Sequence, residues 1–295
     1  MEIQFQSTGE NSGFENWLKG FKEISDSLLI EIDTASQQFV AKVFSNGRDV
    51  VKYGKLDFSD AGLEVTGVKD KSQKKISLEE WNAQNEGKRI FFPILKTLKK
   101  FIDVVSLFKG SENYKLNVKF TESDDRLLVS KAEFKSLALT MNVGSSELTE
   151  FADIITKLTD DNFRNKVSAI PNPMTFTVIP DALKTLFVAS NIYSNDPKKD
   201  ILSFQTKKVG DAWALYAVDH SNGIYNYNLG FMNQECENPV ETALPIVREN
   251  LITAAKNDAE SLVITLEGIE GAEGKKVRID SGSTFITIIA SVVTE

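Results

Sequence analysis

The sequence predicts an α+β fold made of two similar halves, each a pair of βαβββ units with mainly antiparallel sheets. Three observations carry this reading. A strand-like run Phe39–Phe44 reaches Ser45-Asn46-Gly47, and Asp49–Phe58 leads out of it; downstream, Trp213–Val218 reaches Ser221-Asn222-Gly223, and Ile224–Phe231 leads out in the same way. Asn-Gly between alternating apolar runs is a strong hairpin signal, because both central residues of that turn take φ > 0, and tight hairpins join antiparallel neighbours. After each hairpin comes an apolar residue, a proline and an amphipathic run: Phe92-Pro93-Ile94-Leu95-Lys96 in the first half and Leu244-Pro245-Ile246-Val247-Arg248 in the second. Proline is favoured in the first turn of a helix, so Pro93 and Pro245 are each expected to start one. The matched order of elements, more than either turn triplet, marks a duplication.

In chain order, Glu2–Gln6 alternates as a strand, and Ser12 is placed to cap a helix over Phe14–Ser25. Strands are expected at Ser27–Asp33, Gln38–Phe44, Asp49–Phe58 and Leu63–Val65. Thr66–Arg89 is polar and lysine-rich, and is expected to be an inserted loop with a turn of helix at Leu78–Asn82. A helix from Pro93 to Phe108, stopped by Gly110, and strands Tyr114–Thr121, Arg126–Phe134 and Ser136–Val143 complete the half. Gly144–Pro173 is expected to be a connector: Glu147–Leu158 has helical periodicity, after which Pro171 and Pro173 force an extended path. The second half is expected to run through strand Met174–Ile179, a helix from Pro180 to Ile192, strands Ile201–Lys208, Trp213–Asp219 and Ile224–Phe231, the helix Pro245–Asn257, and strands Ser261–Glu267, Lys276–Asp280 and Thr284–Val293. The implied organisation is a first domain over 1–146, a connector over 147–173 and a second domain over 174–295.

Composition narrows the function classes. Hydrophobic content of 41% and charged content of 26% are those of a folded globular chain. No apolar run approaches the ~20 residues needed to span a bilayer, and Met1–Gln6 lacks the features of a signal peptide. Cys236 is the only cysteine, so no intrachain disulfide can form, and a reducing compartment, cytoplasm or nucleus, is expected. The net charge of −8 would repel DNA phosphate, so a nucleic-acid role demands that positive charge be segregated.

The four expected helices meet that demand. Phe14, Trp17, Leu18, Phe21 and Ile24 form one face of the first, with Lys19 and Lys22 opposite beside Glu15 and Glu23. In the second, Leu98, Phe101, Ile102, Val105 and Phe108 are expected to be buried, while Lys96, Lys99 and Lys100 cluster opposite, with only Asp103 opposing them. The third carries Lys184 outward. The fourth carries Arg248 and Lys256 on its polar half, with Ile252 out of place among them.

Catalytic chemistry is not expected. His220 is the only histidine and sits in a turn, without the partners that a metal site or a triad needs. No Walker-type loop and no G-x-G-x-x-G occurs. Asp124-Asp125 and Asp160-Asp161 read as solvated turn carboxylates, and Phe39, Phe204 and Phe285 fall at core positions of strands rather than on a stacking platform. The reading is of a protein that is not an enzyme, with no metal and no cofactor.

Paired βαβββ units in a duplicated, acidic chain with basic outer helix faces resemble a DNA sliding clamp. The two-domain clamps, proliferating cell nuclear antigen and those of T-even-like bacteriophages, are the types meant, and the resemblance covers Glu2 to Val293. Thr66–Arg89 and Ile252 depart from the pattern. The resemblance implies a homotrimeric ring, helices lining the hole and sheets outside, that encircles double-stranded DNA and tethers a DNA polymerase. It implies a clamp loader as a further partner, no membrane, and a location in an infected bacterial cytoplasm for a phage protein or a nucleus for a eukaryotic one. Lys19, Lys22, Lys96, Lys99, Lys100, Lys184, Arg248 and Lys256 would face DNA. The subunit seam would pair Ser136, Ala138, Thr140 and Asn142 with Ile224, Asn226 and Asn228 of the next copy. A pocket for polymerase tails would involve Leu148, Phe151, Ile154, Ile155, Ile289 and Val292. Two rivals remain at this stage: a monomeric or dimeric processivity factor that grips DNA without closing, and a β-rich structural or ligand-binding protein.

Overall fold

Four βαβββ quarters follow one another in the computed structural model, which describes residues 1–9, 13–108, 114–123, 125–178, 180–193, 200–219, 226–233, 236–255, 262–268 and 276–292. The first quarter is β1 (Glu2–Ser7), α1 (Gly13–Lys22), β2 (Leu28–Asp33), β3 (Gln38–Phe44) and β4 (Val50–Asp57). Then come β5 (Leu63–Lys69), β6 (Lys75–Ile76) and α2 (Leu78–Gln84). The second quarter is β7 (Arg89–Ile94), α3 (Leu98–Phe108), β8 (Lys115–Ser123), β9 (Arg126–Lys135) and β10 (Thr140–Gly144). A 3₁₀ turn Leu148–Phe151 runs into α4 (Ala152–Lys157), and α5 (Asp160–Asn162) runs into a π-helical turn Phe163–Val167. The third quarter is β11 (Pro173–Val178), α6 (Pro180–Tyr193), β12 (Ile201–Val209), β13 (Ala212–Asp219) and β14 (Asn226–Phe231). The fourth is β15 (Thr242–Val247), α7 (Arg248–Ala255), β16 (Leu262–Glu267), β17 (Lys276–Ser281) and β18 (Phe285–Ala290).

The chain forms two compact units: Met1–Val43 with Tyr53–Lys157, and Phe44–Lys52 with Leu158–Glu295. The connector therefore divides, its 3₁₀ turn and α4 going with the first unit and the remainder with the second.

In the first unit the strands run β3-β2-β7-β9-β8-β1-β5-β6, with β10 also paired to β9. The pairings are antiparallel except β7 with β9. A bulge in β9 explains its burial pattern: Lys119 pairs with Lys131 but Phe120 with Val129, so Ser130 is the extra residue. Leu127 and Val129 are buried before it, Ala132 and Phe134 after it, three residues out of simple alternation. The helices bury the apolar faces read from the sequence, including Phe14, Trp17, Leu18 and Phe21 of α1 and Leu98, Phe101, Ile102, Val105 and Phe108 of α3. Aromatic rings join helix to sheet: Phe14 lies 4.9 Å from Phe39, and Phe101 lies 5.4 Å from Phe92 and 6.0 Å from Phe134 between centroids. Glu15, expected on the polar face, is instead buried, with Lys19 at 2.6 Å and the Ser106 hydroxyl donating to it at 2.6 Å. A buried carboxylate needs such donors, and here they tie α1 to α3.

In the second unit one sheet is ordered β11-β16-β17-β18 and the other β14-β13-β12-β15. The counterpart of the β1–β5 pairing shrinks to a single bridge between Phe176 and Met232, supported by the Asn233 N–H donating to Thr175 O. Next to it β14 bulges at Leu229, and Gly230 there has φ 154°. A Cβ on Gly230 would meet Thr177 O at 2.6 Å, so only glycine allows this approach.

Several expectations are corrected. Pro93 and Pro245 lie in β7 and β15, and the helices after them begin at Leu98 and Arg248. Proline is tolerated there because the β7–β9 pairing ends at Phe91, and because β15 is an edge strand. In the first hairpin the Arg48 N–H donates to Ser45 O at 2.9 Å and the positive φ, 60°, falls on Arg48, not on Asn46 or Gly47. A four-residue loop on a type I-like turn closed by one left-handed residue replaces the two-residue turn. The second Asn-Gly hairpin, His220, Ser12, Gly110 and Asp124 lie outside the described residues. In Thr66–Arg89 the expected turn of helix at Leu78–Asn82 is present as α2, capped by Ser77 accepting from the Glu80 N–H. The segment also holds the end of β5 and β6, and Trp81 is buried with its ring 5.9 Å from Phe120.

Candidate nucleic-acid interface

The end of α1 is stitched to the start of α3. The Leu98 N–H donates to Asp26 O at 3.0 Å, the Lys99 N–H to the Asp26 carboxylate at 3.2 Å, and the Lys96 N–H to Ser27 Oγ at 2.9 Å. Asp26 thus caps the N-terminus of α3, the end where a carboxylate is favoured by the helix dipole. Lys96, expected on the helix, precedes it with φ 53°. This junction brings the C-terminal turn of α1, with Lys22, beside Lys96, Lys99 and Lys100; all four lysines are exposed, and so are the acids nearest them in the chain, Glu23, Asp26 and, one turn along α3, Asp103. Lys19 is half-exposed one turn back, held by Glu15.

The second unit is different. Lys184 is exposed on α6 but lies 3.2 Å from Asp181. The next two turns on that stripe present Val188 and Ile192, which are 63% and 71% exposed. Arg248 is corrected outright as a DNA-facing residue: it is 2% exposed, the first residue of α7, with its backbone N–H donating to Asp200 O. Lys256 lies outside the described residues, and Ile252 is partly exposed, as are Glu249 and Thr253.

Both strands expected at the seam are sheet edges among the described residues: β10 pairs only with β9, and β14 ends its four-stranded sheet, with a single bridge to Phe176 following it at Met232. The β10 strand is shorter than expected. Ser136 and Ala138 belong to the preceding turn, where the Ser136 N–H donates to Leu139 O at 2.8 Å, and only Thr140 and Asn142 are in the strand. Asn226 and Asn228 are in β14, and Ile224 is outside the described residues. Sequence reading passed over the apolar residues at these edges: Leu137 is fully exposed, and Leu139 and Phe231 are 41% and 52% exposed. The alternation Leu137, Leu139, Met141, Val143 was the available signal.

Of the residues expected in a tail pocket, Phe151 and Ile155 are buried in one cluster with Leu29 and Phe91, with Leu148 and Ile154 packed against it. Beside that cluster is a cleft of about 570 Å³ lined by Arg126, Leu128, Ser146, Leu148, Ala152 and Ile155 among others. Ile289 is fully buried in β18, and Val292 follows that strand, its N–H donating to Pro245 O.

Three lysines of the inserted segment are engaged within their own unit, Lys69 with Glu2 and the other two with Glu122, while Lys74 and Lys75 are exposed. Lys71 and Lys88 both pair with Glu122, and their hydrogen bonds hold its carboxyl down at about 2. Among the described residues no group of three or more His, Cys, Asp or Glu is placed to hold a metal, and no helix is long and apolar enough to cross a membrane.

No protein-family model matches the sequence, and no curated protein matches it either. Solved structures do match, over 99% of this chain and 99% of each of theirs. A PCNA2–PCNA3 complex from Sulfolobus tokodaii matches with a TM-score of 0.57 at 11% identity. PCNA of A. fulgidus, bound to the C-terminal region of FEN-1, matches at 0.59 and 10%, and PCNA of Entamoeba histolytica at 0.58 and 10%. At such identity the likeness establishes the fold, which is that of a PCNA-type DNA sliding clamp.

Proposed function

We propose that the protein works as a sliding clamp, a processivity factor that closes as a homotrimer around duplex DNA and tethers a DNA polymerase, with no chemistry of its own. The observation that carries this reading is the clamp fold along the whole chain. Two features of its surface support it. The β10 edge, and the β14 edge ahead of its bridge from Met232 to Phe176, lie beside exposed Leu137, Leu139 and Phe231, and pairing between copies would cover both the backbone groups and the apolar side chains. The helix pair α1 and α3 presents Lys22, Lys96, Lys99 and Lys100 from an otherwise acidic chain, which suits loose, sequence-independent contact with phosphate.

The partner site is proposed at the connector. The A. fulgidus neighbour is seen with the C-terminal region of FEN-1, and a polymerase tail is proposed to dock here in an equivalent way, against Leu148 and the connector residues around it. Loading onto DNA by a clamp loader belongs to the same proposal. Light scattering tests the ring: a mass three times 32.8 kDa is expected, and a monomer at every concentration would overturn it. Clamp-dependent extension of a primer by the cognate polymerase tests the role.

A further inference from the structure

The two units of this chain do not offer DNA the same surface. We propose that phosphate contact is concentrated on the first unit, at the α1–α3 junction, and that the helices of the second unit contribute little to it; this rests on the sliding-clamp reading above. In the first unit Asp26 and Ser27 accept the backbone N–H groups of Lys99 and Lys96, which fixes Lys22, Lys96, Lys99 and Lys100 around one rigid corner. Their side chains are exposed, and the exposed acids Glu23, Asp26 and Asp103 offset them in part, leaving four cations at this corner against one on the described part of α6. On the exposed stripe of α6 the sequence of side chains is Lys184, Val188, Ile192, with Asp181 beside the single cation. On α7 the arginine is buried, and the described residues partly exposed on the helix are Glu249, Asn250, Ile252 and Thr253.

The physical consequence follows from counterion release. Affinity for phosphate grows with the number of cations that can displace condensed ions, and an apolar or acidic helix face displaces none. Six helical faces of this kind in a trimer would alternate between strongly and weakly attractive. DNA would be held by three patches, not by a continuous basic lining.

The test uses the full-length wild-type protein, so no variant need fold. A duplex of about 30 base pairs with photoreactive groups on its phosphates is bound at low salt, irradiated, and the cross-linked peptides are identified. Peptides spanning residues 13–22 and 96–108 are expected to exceed those spanning 180–193 and 248–255 by about tenfold, reflecting the difference in available cations. Equal yields from the two sets would overturn the asymmetry and leave the clamp reading standing. Cross-links on none of the four helices would overturn the clamp reading, and this inference with it.

Discussion

The carbonyl oxygen of Pro93 accepts the backbone N–H of Ser146 at 2.9 Å, and the second unit repeats the contact between Pro245 and Val292, also at 2.9 Å. In each unit a proline sits in the strand that leads into a helix, and its carbonyl receives the chain just after the last strand. The duplication is therefore visible as a shared closing contact, with no shared side chains needed. Ser146 adds to it in the first unit, because its hydroxyl also accepts from the Leu95 N–H at 3.0 Å.

Replacing Ser146 with alanine removes the hydroxyl but keeps the Ser146–Pro93 backbone bond. The partly buried Leu95 N–H is left without its acceptor, and a loss of about 1 kcal/mol in stability is expected. Urea unfolding checks it. A variant as stable as the parent would mean that water replaces the hydroxyl at no cost.

The proposed seam makes a sharper demand. Leu137 and Leu139 do nothing for the core of their own chain, since both are exposed. Changing both to aspartate should leave the subunit folded while shifting the assembly toward 32.8 kDa by light scattering. Ala138, in the turn that ends β9, is a poorer target than the sequence indicated. An unchanged trimer in the double variant would place the seam elsewhere.

What could be read from the sequence was whatever depends on local pattern. Helix faces such as Leu98, Phe101, Ile102 and Val105 follow from a 3.6-residue period, and all are buried. The four βαβββ quarters followed from the order of such segments. Tertiary context decided the rest. Arg248 shares the polar half of a helical wheel, yet it is the first residue of α7 and is drawn inward; a wheel has no information about helix ends. Pro93 looked like a helix start because a missing N–H suits one, but the end of the β7–β9 pairing at Phe91 suits it too. Trp81 was hidden in a polar run, where one buried ring anchors a whole segment without any periodicity.

Trp81 gives the insertion a testable role. It is 1% exposed and packs near Phe120, while Glu80 accepts from Gln84 along the outer face of α2. Truncation of a buried tryptophan to alanine costs about 3–5 kcal/mol, so Trp81→Ala should release α2 and the neighbouring strand β6. Hydrogen exchange should accelerate in residues 70–88 first. Exchange that rises evenly throughout the first unit would show instead that the insertion is part of one cooperative core.

Asp49 closes the first hairpin and supplies a pH dependence. Burial alone would raise its carboxyl, but hydrogen bonds from Ser45 at 2.6 Å and Asn250 at 2.5 Å outweigh that and hold it below the usual 3.8. A carboxyl lowered in the folded state favours the unfolded chain as protons are added. Its stabilisation is complete above about pH 5 and drains away as pH falls through the folded value. Asp49→Asn keeps the shape and removes the charge. The parent should exceed the variant in stability at pH 6, and the gap should narrow steadily below about pH 4, since comparing the two chains cancels every other carboxylate. A gap that stays constant from pH 6 to about pH 3 would show that Asp49 acts through shape alone, with no part played by its charge.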